Sequence, residues 1–255
     1  MPLSPAAVLE AAQLLTARHQ TGEQGPLLPD HCRPTDIADA LAIQRAVADV
    51  LGDTIGGYKC GMPAADKLII APIYTRTIHR QSPCPVWARK GSLRIEPELA
   101  FVLGADLPPR NAPYTATDVD AAIASTHLAL ELIDNRYDDT AIVDYLDKLA
   151  DGLVNQGLLL GPKIDNRIGQ SLEQVAVTLQ SGHAAQAFAG QHPAGLPRAP
   201  LYWLAEHLRS AGIGLKAGQA VITGSYAGAP TVCATASLRV QFGDIGEISV
   251  HFAQR

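Results

Sequence analysis

Arg94-Ile95-Glu96-Pro97-Glu98-Leu99-Ala100-Phe101-Val102 begins with charge and ends in apolar residues. On an extended strand Glu96 and Glu98 point to one face, about 7 Å apart at Cα. The apolar residues that follow send that strand into a core rather than along the surface. Two carboxylates this close repel each other unless a cation or a proton lies between them. An all-oxygen pair suits a hard divalent ion such as Mg²⁺ or Mn²⁺. A solvent-facing acidic edge is the plainer alternative.

A third carboxylate tips the balance. Glu131 interrupts the apolar run Leu128-Ala129-Leu130-Glu131-Leu132-Ile133. An isolated charge buried there costs several kcal/mol, so it needs a partner, a proton or a metal. Three carboxylates on two strands would leave about three positions of an octahedral ion for substrate and water. Asp134 and Arg136, just beyond, are placed to pair with each other.

Outward from these strands the chain divides in two. Ser4 and Pro5 read as an N-cap and first-turn pair, with Val8, Ala11, Leu14 and Leu15 behind them at helical spacing. A second helix is expected from Thr35 to Gly52, carrying Ile37, Leu41, Ile43, Val47, Val50 and Leu51. Residues 1–55 therefore read as an N-terminal helical lobe and 56–255 as a β-rich catalytic core. In the core, strands are expected at Lys67–Ile70, Leu99–Leu103, Leu128–Ile133, Leu158–Leu160, Val175–Leu179, Ala220–Thr223, Ser237–Phe242 and Ile248–Phe252. Helices are expected from Thr117 and across Pro200–Ser210. Strands that outnumber helices, without a βαβ repeat, give an α+β fold.

The bulk numbers narrow the function. At 255 residues, 47% hydrophobic and 18% charged, the chain is globular. A net charge of −5 and 5% aromatics argue against a nucleic-acid partner. The uncharged stretches Gln174–Pro197 and Ala217–Leu238 are dotted with Gly, Pro and polar residues, which argues against a membrane span. Met1-Pro2-Leu3-Ser4-Pro5 carries no signal-peptide pattern, and Cys32, Cys60, Cys84 and Cys233 read as reduced thiols. The expectation is a cytoplasmic protein.

Two further segments carry chemistry. Lys59, in Gly56-Gly57-Tyr58-Lys59-Cys60-Gly61, has room around it for a ligand. Near a metal it can hold a substrate carboxylate or carry a proton, though a lysine at a turn is ordinarily just solvated. Ile222-Thr223-Gly224-Ser225 offers two hydroxyls and N–H groups to an anion, or is only a turn. No nucleotide-binding glycine motif, no serine-hydrolase elbow and no histidine ligand pair occurs.

In this order these segments resemble the 2-keto-4-pentenoate hydratase / 4-oxalocrotonate decarboxylase group of the fumarylacetoacetate hydrolase superfamily. The matching pieces are Gly57–Gly61, Ile95–Leu103, Ala129–Arg136, Ala150-Asp151, Trp203–Ala205, Gly214–Gly218, Val221–Ser225 and the ending around Phe242, Gly246 and Ile248–Phe252. The resemblance implies Glu96, Glu98 and Glu131 as Mg²⁺ or Mn²⁺ ligands and Lys59 as an active-site lysine. It puts Ser225 near the substrate, with Thr223 and Gly224 shaping that loop. It also implies a fumarylacetoacetate-hydrolase-like mixed β-sheet roll or barrel with helices outside, in a homo-oligomer.

Two departures bear on the substrate-facing residues. The group's Pro-Asp-x-Gly piece corresponds here to Ala71-Pro72-Ile73-Tyr74, which lacks the acid, and its Asn-Ala-Ser after Ala-Asp is here Gly152-Leu153-Val154. Tyr74 and Asp151 are then the candidate proton relays. The activity implied is that of a lyase on a 2-oxo (2-hydroxydienoic) acid in aromatic-compound catabolism, by hydration or 4-oxalocrotonate-type decarboxylation. The rivals are C–C hydrolysis of acylpyruvates and a non-catalytic metal-binding subunit that partners a related decarboxylase or hydratase.

Overall fold

Ser4 opens the first helix as expected. Its Oγ accepts the Ala7 N–H at 3.2 Å, and α1 (Pro5–Thr21) closes on Gly22 at φ 70°. The second helix, α2 (Ile37–Leu51), starts two residues later than the sequence suggests. Asp36 is the cap, while Thr35 donates its Oγ–H to the carboxylate of Asp39. The computed structural model describes residues 2–255, so Met1 of the N-terminal pattern lies outside the described residues.

After the arm come β1 (Ile55–Cys60), β2 (Ile70–Tyr74), β3 (Ile78–His79), β4 (Cys84–Val86) and β5 (Ser92–Leu103). Next are α3 (Ala116–Ala122), β6 (Ile123–Ile133), α4 (Tyr145–Ala150), β7 (Asn155–Ile164) and α5 (Ile168–Ser171). The chain ends with β8 (Val177–Ser181), β9 (Ala184–Phe188), α6 (Ala199–Ser210), β10 (Ala220–Ile222), β11 (Thr231–Cys233), β12 (Leu238–Phe242), β13 (Gly246–Val250) and β14 (Phe252–Gln254).

The expected strand at Lys67–Ile70 is corrected: only Ile70 belongs to β2, which runs on through Pro72. A proline is tolerated there because β2 is an edge of its sheet. The run expected at Ile248–Phe252 is two strands, since the chain turns at His251 to pair β14 with β4. Short α4 escapes a periodicity search, although Asp144 and Asp147 build a full capping box at its start. Largely exposed β9, with the sequence Ala-Ala-Gln-Ala-Phe, carries no alternation to find.

The main sheet runs β2-β1-β10-β5-β6-β7-β3, with β11 also on β5, and is bent into a nearly closed barrel. A smaller sheet, β13-β12-β8-β9, packs beside it. Strand registers bring Glu96 opposite Glu131, Ala100 opposite Ile222, and Lys59 opposite both Ile222 and Ala71. Since side chains alternate across a strand, these residues share the inner wall. Deeper on that wall a tight cluster of Ile73, Ala100, Ala129, Leu158, Leu160, Ala220 and Ile222 fills the barrel. Tyr58, Ile95, Leu99 and Phe101 face the other way, into the larger core. The arm helices share their apolar cluster with Tyr74, Tyr137, Leu149 and Ala150.

Pro97 sits in the middle of a long internal strand, where a missing N–H ordinarily breaks a ladder. The gap is built in. β10 covers β5 only at Ala100–Val102 and β11 only at Ser92–Arg94. Between them the chain lifts off, and the Pro97 carbonyl accepts the Tyr226 N–H at 3.0 Å. The lifted loop passes over the inner-wall carboxylates.

β1 is packed against β10 so closely that a Cβ on Gly57 would enter the Ala220 carbonyl oxygen, whereas one on Gly52 meets nothing within 4 Å. Gly57→Ala is expected to cost about 3 kcal/mol. Gly52→Ala, a helix-end position at φ 57°, should cost only about 1 kcal/mol. Urea denaturation of the two variants checks this, and equal losses would contradict the close β1–β10 approach.

Candidate metal-binding active site

The inner wall brings the three glutamates together. One carboxylate oxygen from each of Glu96, Glu98 and Glu131 lies within 4.8 Å of the other two. Glu98 and Glu131 are buried, and Glu96 is half-buried at the open rim. Glu98 Oε2 accepts the Gly224 N–H at 2.6 Å, which ties the lifted loop to the wall. Glu131 Oε1 accepts two donors, Lys59 Nζ at 2.6 Å and Asn155 Nδ2 at 2.9 Å. Its other oxygen is buried with no hydrogen-bond partner among the described residues.

Electrostatics mark the same spot. Burial first, and then the neighbouring Glu131 carboxylate, push the Glu96 carboxyl up to about 7. Burial and its two acidic neighbours push Glu98 well above the ordinary carboxylate range. Burial works against the Lys59 ammonium, but Glu131, Glu96 and Glu98 together outweigh it and hold its pKa above the usual lysine value. One lysine cannot neutralise three carboxylates. An all-oxygen, largely buried set with an orphaned acceptor fits a hard divalent cation.

Lys59 is no turn residue. It lies in mid-β1 with its side chain 12% exposed, and Nζ also reaches the Leu153 carbonyl at 3.4 Å. That carbonyl belongs to a short 3₁₀ turn, Gly152–Val154, in which Leu153 and Val154 hold φ of 53° and 60°. Positive φ is a genuine outlier for a β-branched residue and costs on the order of 1–3 kcal/mol.

Thr223, Gly224 and Ser225 do meet the triad's loop, in different ways. Thr223 is buried beside His192, with Oγ1 3.4 Å from Nε2. Ser225 commits its Oγ to the Pro97 and Gly228 carbonyls at 3.2 and 2.7 Å and holds the loop's shape. The Ala194 N–H donates to His192 Nδ1, which leaves the ring proton on Nε2. Burial lowers the His192 pKa to about 4, so the ring is neutral near pH 7.

Tyr74 and Asp151 do not join the triad. Alternation along β2 turns Ile73 into the barrel and Tyr74 to the helix side, in a cavity shared with His19 and Arg136. The Asp151 carboxylate is wholly buried against Arg136 Nε, at 2.7 and 2.9 Å, and lies 3.3 Å from His19 Nε2. The expected Asp134–Arg136 pair is likewise corrected, because Asp134 is held by Arg89 in a two-pronged contact at 2.8 Å. Asn155 and His192 are the site residues that sequence reading missed. Asn155 stands one residue past the altered Gly152-Leu153-Val154 piece, and an amide opening an apolar strand is its only signal.

A bent mixed sheet with helices outside is a fumarylacetoacetate-hydrolase-like fold. The chain belongs to the 2-keto-4-pentenoate hydratase / 4-oxalocrotonate decarboxylase family. It is 31% identical over 245 residues to a 2-oxo-hept-4-ene-1,7-dioate hydratase of Escherichia coli, covering 85% of this chain and 86% of that one. A 2-keto-4-pentenoate hydratase of Burkholderia vietnamiensis is 27% identical over 257 residues, covering 96% of both chains. Among solved structures, a 4-oxalocrotonate decarboxylase from Pseudomonas putida G7, complexed with magnesium and adipate, superposes with a TM-score of 0.80. It is 20% identical, with 98% of this chain and 99% of that one covered. A 2-hydroxyhepta-2,4-diene-1,7-dioate isomerase from Mycobacterium marinum gives a TM-score of 0.54 over 80% of this chain and 77% of that one. No family model matches the chain. No helix among the described residues is long and apolar enough to cross a membrane.

The raised carboxyls fix how the metal-free fold responds to pH. Glu96 titrates near 4.5 when unfolded and about 7 when folded, so the folded state keeps a proton that the unfolded chain releases. The contribution to stability is full below pH 4.5 and is lost as pH rises through about 7. In chelator, the melting temperature should fall between about pH 5 and about pH 8, and added Mg²⁺ should restore it at the upper end. A melting temperature that stays flat across that range would show the carboxylates to be far enough apart to ionise freely.

Proposed function

We propose that the protein is a divalent-cation-dependent lyase acting on a 2-oxo or 2-hydroxydienoic acid, as its hydratase relatives are named to do. The observation that carries this reading is the buried Glu96–Glu98–Glu131 set, with one lysine beside it and an unpartnered Glu131 oxygen. Those three glutamates would hold Mg²⁺ or Mn²⁺. When bound, the cation supplies Lewis-acid stabilisation of negative charge developing on the C2 oxygen of the substrate.

The chain's own groups do the rest. Lys59 keeps its ammonium charged, and Nζ has one N–H beyond those given to Glu131 and Leu153. That N–H is the donor for a substrate carboxylate or the source of a proton. The Gly224 N–H ties the neighbouring loop to Glu98, and neutral His192 fixes the Thr223 hydroxyl. The deep wall below carries a tight apolar cluster, so water is admitted from the side of the half-buried Glu96.

Decarboxylation is the second reading, and Ile73 favours it. Where the group carries an acid, this wall has a buried isoleucine. Adding water across an alkene needs a group to activate that water. Loss of CO₂ from a 2-oxo acid whose second carboxylate is conjugated with the C2 carbonyl needs an electron sink and one proton donor, and Lys59 can serve as the donor. The supported assembly is a small-molecule enzyme; homo-oligomerisation and a complex with a related hydratase or decarboxylase belong to the proposal.

Glu98→Gln and Glu131→Gln should each cut turnover of 2-hydroxydienoates by more than about a hundredfold, with far-ultraviolet circular dichroism unchanged. Lys59→Ala should cost about 10²–10⁴ in kcat. Following diene absorbance alongside CO₂ release on a dicarboxylic 2-oxo acid separates the two readings. Metal-stripped protein working at the full rate would overturn both.

A further inference from the structure

Three consecutive residues, Gly152, Leu153 and Val154, hold left-handed backbone at φ 65°, 53° and 60°. Glycine does so freely, but leucine and valine need to be held there. The turn is held at both ends. On its C-terminal side the Val154 carbonyl accepts the Asp134 N–H at 2.9 Å, and the Asn155 amide is pinned between Glu131 and the Gly157 carbonyl. On its N-terminal side Arg136 takes the Asp151 carboxylate through Nε and the Asp151 carbonyl through Nη2 at 2.8 Å. His19, from α1, closes on the same carboxylate.

We infer that Arg136 is a positioning residue: through Asp151 it keeps the Gly152–Val154 turn in its left-handed conformation, and the turn in turn aims two groups of the site. Those groups are the Leu153 carbonyl, which receives Lys59 Nζ, and the Asn155 amide, which donates to the same Glu131 oxygen as Lys59. Arg136 touches neither the triad nor the lysine in any hydrogen bond among the described residues. Released from Arg136, the turn relaxes toward ordinary φ, and both aiming contacts go with it. The Arg136 carbonyl meanwhile accepts from Gly25 N at 3.1 Å and Arg18 Nη1 at 3.4 Å, so the clamp is braced by the helical arm.

The inference rests on the reading of Glu131 as a cation ligand and Lys59 as an active-site group, and its test separates the two. Arg136→Lys keeps a positive charge beside Asp151 but loses the planar fork. It should weaken Mn²⁺ binding, measured by titration calorimetry on metal-stripped protein, by about 10–100-fold and lower kcat by a similar factor. Adding Val154→Gly to that variant removes the β-branched residue's share of the turn's strain, and should recover at least about tenfold of the lost Mn²⁺ affinity. A merely structural role predicts a lower melting temperature with unchanged Mn²⁺ affinity and no recovery in the double variant; either result overturns the inference. If Arg136→Lys does not fold, Asp151→Asn, with and without Val154→Gly, carries the same comparison. If wild-type protein binds no Mn²⁺, it is the cation-site reading that fails. The clamp is then read from amide hydrogen exchange at residues 152–155, which should speed up at least about tenfold in Arg136→Lys and slow again in the double variant; unchanged exchange would overturn it.

Discussion

Like charge crowded onto one largely buried wall governs this structure. Glu96, Glu98 and Glu131 are crowded onto one wall with a single ammonium among them, and every nearby element is arranged around that imbalance. Donors converge on the carboxylates from three directions: Gly224 from the lifted loop, Asn155 from the head of β7, and Lys59 from β1. Each relieves part of the repulsion, and a Glu131 oxygen is still left over. A fold that only needed stability would replace such a cluster with apolar side chains. Retaining it is understandable where charge is to be matched by something from outside.

Backbone geometry makes the crowding feasible. An uninterrupted ladder along β5 would have placed strand backbone beside Glu96 and Glu98 and sealed their edge. Pro97 has no N–H to give, and both carbonyl and missing donor of a residue face the same side of an antiparallel strand. Its side is the one where β10 ends and β11 has not begun. The residue that looks least suited to a central strand is thus the one that opens room for the loop carrying Thr223 and Gly224.

Much of this was legible in the sequence, because it depends on local alternation. The E-x-E spacing gives two carboxylates on one face, and a charge inside Leu128–Ile133 announces itself by its cost. Helix caps at Ser4 and Gly52 follow from side-chain and φ preferences alone. What was not legible depends on register and loop path. Asn155 reaches Glu131 only because β7 pairs with β6 in one particular register. His192 arrives from a loop far along the chain and shows no spacing to any partner. Asp134 and Arg136 are two residues apart and look like a pair, yet Arg89 and Asp151 claim them separately. Tyr74 follows the same logic: parity along β2 decides which of two adjacent residues faces the wall, and it selects Ile73.

That selection puts an apolar side chain on the wall at this position. Below the layer of Lys59 and Glu131 the barrel is packed by Ala100, Ala129, Leu158, Leu160, Ala220 and Ile222, none of which can carry a proton. His192 is neutral, and its ring proton faces the Thr223 hydroxyl, which makes it a support for the loop rather than a base. Tyr74 lies on the far side of the sheet, where burial pushes its hydroxyl above the ordinary tyrosine range. Lys59, bonded to Glu131 itself, is then the proton carrier nearest the carboxylates. The position of Lys59 is set less by β1 itself than by its two acceptors, Glu131 and the Leu153 carbonyl. One acceptor belongs to the charge cluster and the other to a strained turn anchored from the opposite face of the sheet. The reactive face and the helix-side ion pair therefore form one mechanical unit, coupled through five residues from Asp151 to Asn155.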